Sequence, residues 1–499
     1  MRLWILSAAV LAVVFTVSPA WAKTNLEAGA AVETTPESLN ELRQIPVQQG
    51  GRVKPFDSFA RESVQRLTGV ERVGNQPAVV TVLSIMAHPD SWQEKPVLSV
   101  PFVPLREILG MNPKETHVSY ANLIETRKLM RQLPVIVQKQ QQGEKLTMLE
   151  NETMELYDRF VLFTALTQGK LSASDTDSWD KPSAKIQTAH WRIRWELLYN
   201  DCAPFKIARI FYLLTALTLL GVVLGARFKP GTLAKALLAG AVFFHAAGIV
   251  SRVVLGGRPP VSNFYETMLW LPFVAVFVAL IFERIYRSGL FAFSSSILAA
   301  AFLVLADYMP LDSSISPVVA VLRSNLWLTI HVLTVVGSYA PIGLAAVMAH
   351  LYGILYLRYG PTHPRLAVLD RFIYRATQVG VVMLAAGIML GAVWANASWG
   401  RYWGWDPKET WALITLLWFL GVFHGKFAGW LKGAWTAVAT IAGFFLVLMT
   451  YYGVSFYLVG LHSYAGGNAK PFPPALIVYL AAELAFMAAV ALRATRLSR

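Results

Sequence analysis

Cysteine is nearly absent: Cys202 is the one cysteine among 499 residues. A single thiol forms no internal disulfide, no CxxC redox pair and no thiolate zinc cluster. Any cysteine chemistry the protein takes part in is therefore expected to come from partners. Cys202 itself precedes the first long apolar stretch and reads as a small packing residue. Charge is also scarce, 15% of residues against 55% hydrophobic ones, which points away from soluble domains and towards a membrane protein. Acidic residues run short, 30 against 44 basic ones, for a net charge of +14. Such a balance serves nucleic-acid binding when it covers one face of a soluble domain. Here many of the basic side chains flank apolar stretches and act as orientation signals, so no nucleic-acid partner is expected.

Residues 1–22 start with Arg2, continue as an apolar run and end in Ala20-Trp21-Ala22. A basic end, an apolar middle and a small-residue site read as a signal peptide, or as an N-terminal anchor if it is not cleaved. Residues 23–205 contain no membrane-length apolar run and carry mixed charge, which predicts an exported soluble domain of helices and short strands. Arg61 to Leu67 has helical character, and Val79 to Met86 fits helix or strand. The stretches near 138–143 and 172–179 read as loops.

Beyond Pro204 the pattern changes. Apolar segments lie near 207–226, 233–254, 265–283, 290–306, 327–357, 377–397, 411–429, 434–456 and 473–492. Each is close to the ~20 residues that cross a bilayer as a helix. The expected fold is mostly α, a polytopic bundle of about nine membrane helices over residues 206–499. Starting outside, the predicted cytoplasmic segments carry Arg227, Lys229 and Lys235; Arg284 and Arg287; Arg358, Arg365, Arg371 and Arg375; Lys426 and Lys432; and Arg493, Arg496 and Arg499. The outer segments carry fewer: Arg252 at a helix end, Arg258, Arg323, Arg401, Lys408 and Lys470. This positive-inside bias agrees with an exported amino-terminal domain.

The loop at 394–411 is the densest chemical feature, with Trp394, Trp399, Trp403, Trp405 and Trp411 around Gly400, Gly404 and Pro407. Tryptophans also anchor helix ends at membrane interfaces. A short bent loop with this many indoles instead reads as a platform for a large planar ligand, whose carboxylates Arg401 and Lys408 can pair. His331, near the outer end of the fifth helix, and His462, after the eighth, are predicted to share that face. Two neutral imidazoles can fill both axial positions of a heme iron. His245 and His424 lie inside membrane segments. They fit either a second, inner heme site or hydrogen bonds between helices. His350, His363, His88, His117 and His190 have no ligand spacing and read as structural.

The stretch Trp399-Gly-Arg-Tyr-Trp-Gly-Trp-Asp-Pro-Lys-Glu-Thr-Trp411 resembles the tryptophan-rich WWD signature of heme-handling proteins in cytochrome c maturation. Pro260-Val-Ser-Asn-Phe-Tyr-Glu266, the His331 segment through Gly337-Ser-Tyr339, and Gly460-Leu-His-Ser-Tyr464 narrow the resemblance to CcsA, also called ResC, of the System II pathway. It covers most of residues 207–492. Gly51-Arg-Val-Lys-Pro-Phe-Asp57 is also similar to the periplasmic segment that precedes the CcsA portion in fused CcsB–CcsA synthetases. No ResB-like portion is recognised, so the chain reads as the CcsA half of a two-protein complex.

The resemblance implies that His331 and His462 ligate an external heme b beside the WWD loop, cradled by Trp399, Trp403, Trp405, Trp411, Arg401 and Asp406. It places His424 in a heme site within the membrane, with His245 as an accompanying histidine. It further implies a bacterial cytoplasmic (inner) membrane protein with its loop on the periplasmic side. The expected partners are a ResB/CcsB-like protein, apocytochrome c, thiol-reducing thioredoxin-like proteins and membrane lipid. The expected activity is that of a holocytochrome-c synthase in complex with the ResB/CcsB-like partner. No catalytic nucleophile or general base is evident. A System I-like heme exporter or chaperone without ligase activity, and a quinol-oxidising b-type cytochrome, are the alternatives. Solute transport predicts inverted repeats, and none is visible.

Overall fold

The computed structural model describes residues 26–30, 32–49, 51–144, 146–170, 190–223, 231–309, 311–315, 325–458, 460–462 and 474–497. Segments 1–22 and 172–179, read above as a leader and a loop, lie outside the described residues, as do Tyr464 and several of the charges used for orientation (Arg227, Lys229, Arg323, Lys470 and Arg499). The chain divides into two compact units. Among the described residues, one comprises those up to Ala203 with short returns at 254–257 and 314–315, and the other holds the remainder.

The first unit is helical with two small antiparallel ladders. Pro46–Gln49 pairs with Arg52–Pro55, and Pro96–Ser99 pairs with His117–Ser119. Val79 to Met86, which fitted helix or strand, lies in the helix Ala78–Ala87. Its β-branched run Val79-Val80-Thr81-Val82 is almost wholly buried, so tertiary packing outweighs local strand preference. The glutamine-rich stretch at 138–143, read as a loop, is the end of the helix Lys128–Gln141 and its closing turn. Glutamine propagates a helix readily. The core gathers Phe56, Phe59, Trp92, Leu98, Leu156 and Phe163.

The charged residues of the segment 51–57 hold this unit's own elements together. Arg52 makes a two-pronged ion pair with Glu196 at 2.6 and 2.9 Å. Asp57 accepts from Arg43 Nε and Arg61 Nε, both at 2.8 Å, and from Asn200 Nδ2 at 3.1 Å. Burial alone would raise the Asp57 carboxyl, but the two guanidinium groups hold it below the usual carboxylate range. Cys202, expected as a packing residue, is instead exposed on the last residue of the helix His190–Cys202.

The second unit contains nine membrane-length apolar helices among the described residues. They are α1 Pro204–Val223, α2 Thr232–Gly256, α3 Phe264–Tyr286, α4 Leu290–Tyr308, α5 Asn325–Tyr359, α6 Arg365–Trp399, α7 Pro407–Phe427, α8 Ala434–Leu448 and α9 Pro474–Leu497. The protein is a multi-pass membrane protein, as its composition predicted. α8 continues through one π-helical turn, Met449–Gly453, into a last α-helical turn, Val454–Tyr457. In α4 and α5, 78% and 72% of the apolar window is buried, against 11% in α9. The first two are therefore central and α9 peripheral.

Local chemistry sets the helix starts. Asn263 caps α3 by accepting from Glu266 N at 2.8 Å. α7 opens on Asp406-Pro407-Lys408-Glu409, a reciprocal capping box with proline at the first helical position. Successive helices run antiparallel, so the starts of α3, α5 and α7 share one end of the bundle with the ends of α2, α6 and α8.

Candidate functional site

α5 and α6 form the most extensive helix pairing in the unit, and small residues on α6 permit it. Gly387 and Gly391 stand four residues apart on one face, the spacing that lets apolar helices approach closely. His331, on α5, fills the space this leaves. A side-chain carbon at position 391 would lie 2.6 Å from its Cε1. His331 Nδ1 lies 2.9 Å from the Gly387 carbonyl.

α6 ends at Trp399 with Gly400 in the left-handed conformation, φ 72°, which turns the chain into the tryptophan-bearing loop. Trp394 is buried at 2% exposure. Its ring lies 5.9 Å from His331, nearly parallel to it, and 5.7 Å from His462. Trp399 stands edge-on to Trp394 at 4.7 Å and to His462 at 5.1 Å. Two imidazoles and two indoles thus meet at one point.

Asp406 holds the second imidazole. As well as capping α7 through Lys408 N, it accepts from Leu461 N at 2.6 Å and from His462 Nδ1 at 2.8 Å. Gly460 makes this possible, because any Cβ there would collide with the Asp406 carboxylate. Burial raises the Asp406 carboxyl, but the bonds from His462, Lys408 N and Leu461 N outweigh it and keep the group below its ordinary value.

The acceptors decide the tautomers. A carbonyl and an ionised carboxylate can only accept, so Nδ1 carries the proton in both His331 and His462. In the neutral form of either ring the lone pair is then on Nε2. A histidine that ligates a metal through Nε2, with Nδ1–H on a carbonyl or carboxylate, has this same arrangement.

Both histidines line one cleft, with ≈1040 Å3 of empty space including its open mouth. Val332, Val335, Val336 and Ile388 make it apolar, and Tyr339, Tyr451, Trp403 and Lys408 also face it. Thr267 and Tyr451 share a hydrogen bond at 2.8 Å. The π turn carries Tyr451. Such turns insert one residue into a helix and gather at functional sites.

The other candidate residues fall in different places. Trp405 is 70% exposed, with φ 57°, and meets Trp403 edge-on at 5.8 Å. A left-handed tryptophan costs about 1–3 kcal/mol. The Glu409 carboxylate holds it there by accepting from both neighbouring amides, Gly404 N and Asp406 N. Arg401 is exposed, its guanidinium laid against Gly404, and Trp411 opens the second turn of α7; neither is among the cleft-lining residues.

His245 is fully buried with both nitrogens engaged, at 3.1 Å from Tyr212 Oη and 3.0 Å from the Leu269 carbonyl. That is a helix-to-helix bond rather than a free ligand. His424 is exposed, with Nδ1 2.7 Å from Leu420 O of its own helix. Among the described residues, no ring contact or hydrogen bond joins His245 and His424. Sequence reasoning passed over Gly387, Gly391, Tyr451 and Ser455. The Gly-xxx-Gly spacing was a usable signal for the first two, whereas nothing local marks the others.

An α-helical multi-pass membrane protein with paired, pre-oriented imidazoles at one end of its bundle defines the class. The family model described as "Cytochrome C assembly protein" matches residues 261–462, which contain both histidines and the loop. The cytochrome c biogenesis protein CcsA of Synechococcus sp. is 32% identical over 52% of this chain and 98% of its own length. That of Prochlorococcus marinus is 32% identical over 47% of this chain and 84% of its own length. Protein NrfI of Wolinella succinogenes is 28% identical over 84% of this chain, which spans 54% of that protein. The chain belongs to the CcsA family of cytochrome c biogenesis proteins.

Proposed function

We propose that the chain binds heme b at the loop end of its bundle, with His331 and His462 as axial ligands, and presents it to the Cys-x-x-Cys-His segment of apocytochrome c. The observation that carries this reading is the pair of Nε2 lone pairs on two rings that share one apolar cleft. The residues present fit the group. Two protonated Nδ1 atoms anchor the rings, aliphatic side chains supply a dry wall, and the buried Trp394 Nε1 between the imidazoles has no acceptor among the described residues.

Heme enters here as the substrate. When the apocytochrome thiols add, each S–H crosses a vinyl C=C bond, forming one C–S and one C–H bond without net oxidation. The chain's own residues bind and orient. Asp406 and Gly387 fix the imidazole planes, Trp394 and Trp399 pack around them, and Trp403 borders the cleft. Holding the reactants in line can lower a barrier by several kcal/mol. The apocytochrome histidine would take over one axial position as the product leaves.

The surplus of basic residues at the opposite ends of the helices supports a periplasmic site in a bacterial cytoplasmic membrane, with residues 1–22 as an export signal or anchor and the first unit outside. Synthase activity is assigned to a complex with a ResB/CcsB-like protein, and thioredoxin-like proteins are the fitting source of reduced thiols, since this chain has one cysteine.

The test is His331→Ala and His462→Ala in the co-expressed complex, with membrane abundance, heme spectrum and cytochrome c output all measured. Loss of the six-coordinate spectrum and of output at normal abundance, with the spectrum recovered by added imidazole, is the expected result. Normal spectra and output in both variants would refute the ligand assignment. Heme binding without cytochrome c formation by the reconstituted complex would favour the chaperone reading.

A further inference from the structure

Lys408 is the second residue of α7 and faces the cleft, and its surroundings are unusual for an ammonium. Its Nζ is hydrogen-bonded to a neutral partner, Ser455 Oγ, at 2.9 Å. Ser455 follows the π turn, is itself buried at 5% exposure, and donates to Tyr451 O at 2.8 Å. The carboxylates nearest in sequence are committed elsewhere. Glu409 accepts from Gly404 N and Asp406 N, and Asp406 is filled by Lys408 N, Leu461 N and His462. A cation in an apolar cleft, held by one hydroxyl, is a costly arrangement that an anionic partner relieves.

Resting on the porphyrin reading above, we propose that Lys408, positioned by Ser455, is the counter-cation for a carboxylate of the bound porphyrin. Arg401, the other basic residue of the loop, is not that group. Its guanidinium packs on the Gly404 backbone and its side chain is exposed. Porphyrins of this class carry their acidic substituents on one edge and their vinyl groups on the opposite one. A carboxylate held at Lys408 turns the vinyl-bearing edge away from Ser455. The ammonium is thus a specificity determinant: it selects which edge of a flat, nearly symmetric molecule is offered to incoming thiols.

The experiment is a spectroscopic titration of the purified full-length chain with hemin and with hemin dimethyl ester, whose carboxylates are masked. Wild type, Lys408→Met, Lys408→Arg and Arg401→Met are compared. The expected result is that wild type prefers hemin by about tenfold or more, equivalent to about 1.4 kcal/mol. Lys408→Met should lose that preference while binding the ester as wild type does, and Lys408→Arg should keep most of it. A wild-type protein that binds both ligands equally overturns the proposal without any variant having to fold. So does a preference that survives Lys408→Met or is abolished by Arg401→Met. In each of those outcomes a six-coordinate spectrum would leave the imidazole ligands standing. Absence of that spectrum with either porphyrin would remove the underlying reading itself.

Discussion

At the scale of single residues, the site is defined as much by what holds the histidines as by the histidines. Asp406 was expected to cradle a macrocycle. It instead caps α7 and grips His462, so its effect on a ligand is exerted through the imidazole. Asp406→Asn is expected to weaken heme binding by about 10- to 100-fold, as for other carboxylate–histidine pairs, and to raise the midpoint potential. The sign follows from the loss of a negative partner that makes the imidazole a stronger donor to ferric iron. A redox titration beside a binding titration checks it, since a merely structural role would leave the potential of the remaining bound heme unchanged. Gly391→Ala puts a methyl carbon 2.6 Å from His331 Cε1. It should disrupt the low-spin spectrum at normal membrane abundance.

Much of this site was legible in the sequence because the chemistry lies in residue types: nine histidines in all, and one loop packed with tryptophan. The N-cap role of Asp406 was written there too, in the pattern Asp-Pro-Lys-Glu. What one sequence could not display is pairing across the fold. The contacts of Asp406 with His462 and of His331 with Gly387 join residues 56 apart in the chain. His245 carried the same ambiguity, and only the positions of Tyr212 and Leu269 show that both its nitrogens are engaged.

At the scale of elements, one buried ion cluster joins the ends of two helices beside the site. Glu266, on α3, accepts from Arg252 Nε and Nη2 at 3.2 and 3.0 Å, from Arg258 Nη1 at 2.5 Å and from Ser262 N at 3.0 Å. Its side chain and those of both arginines are almost wholly enclosed. The segment it ties down, Val261 to Phe264, lines the cleft. Glu266→Gln would leave two buried guanidinium groups without their carboxylate and is expected to cost about 3–5 kcal/mol. The check is a thermal melt in detergent. A melting temperature within a degree of wild type would assign the cluster no structural weight. Helix positions were readable from apolar runs of bilayer length, but the π turn was not. The stretch Met449–Gly453 has no sequence feature that separates it from an ordinary turn of α8.

At the scale of the whole molecule, the two units respond to different conditions. The first is held partly by carboxylates paired with arginine, Asp57 foremost among them. Its folded pKa lies below the ordinary value, so the stability it contributes is complete above the unfolded carboxylate pKa and fades as pH falls through the folded one. Asp57→Asn should therefore flatten the acid side of the first unit's stability profile, followed by limited proteolysis of the intact protein across pH. The membrane unit is packed chiefly through apolar contacts, so apart from the Glu266 cluster its stability should change little over the same range.

The central claim is that two imidazoles, one on α5 and one in the turn beyond the end of α8, share one iron atom. It is tested most directly by the absorption and electron paramagnetic resonance spectra of the purified chain loaded with ferric heme, alone and with a co-expressed ResB/CcsB-like protein. A low-spin, bis-imidazole signal that His331→Ala and His462→Ala each convert to a high-spin one, and that added imidazole restores, is the predicted outcome. A wild-type low-spin signal persisting in both variants would contradict it.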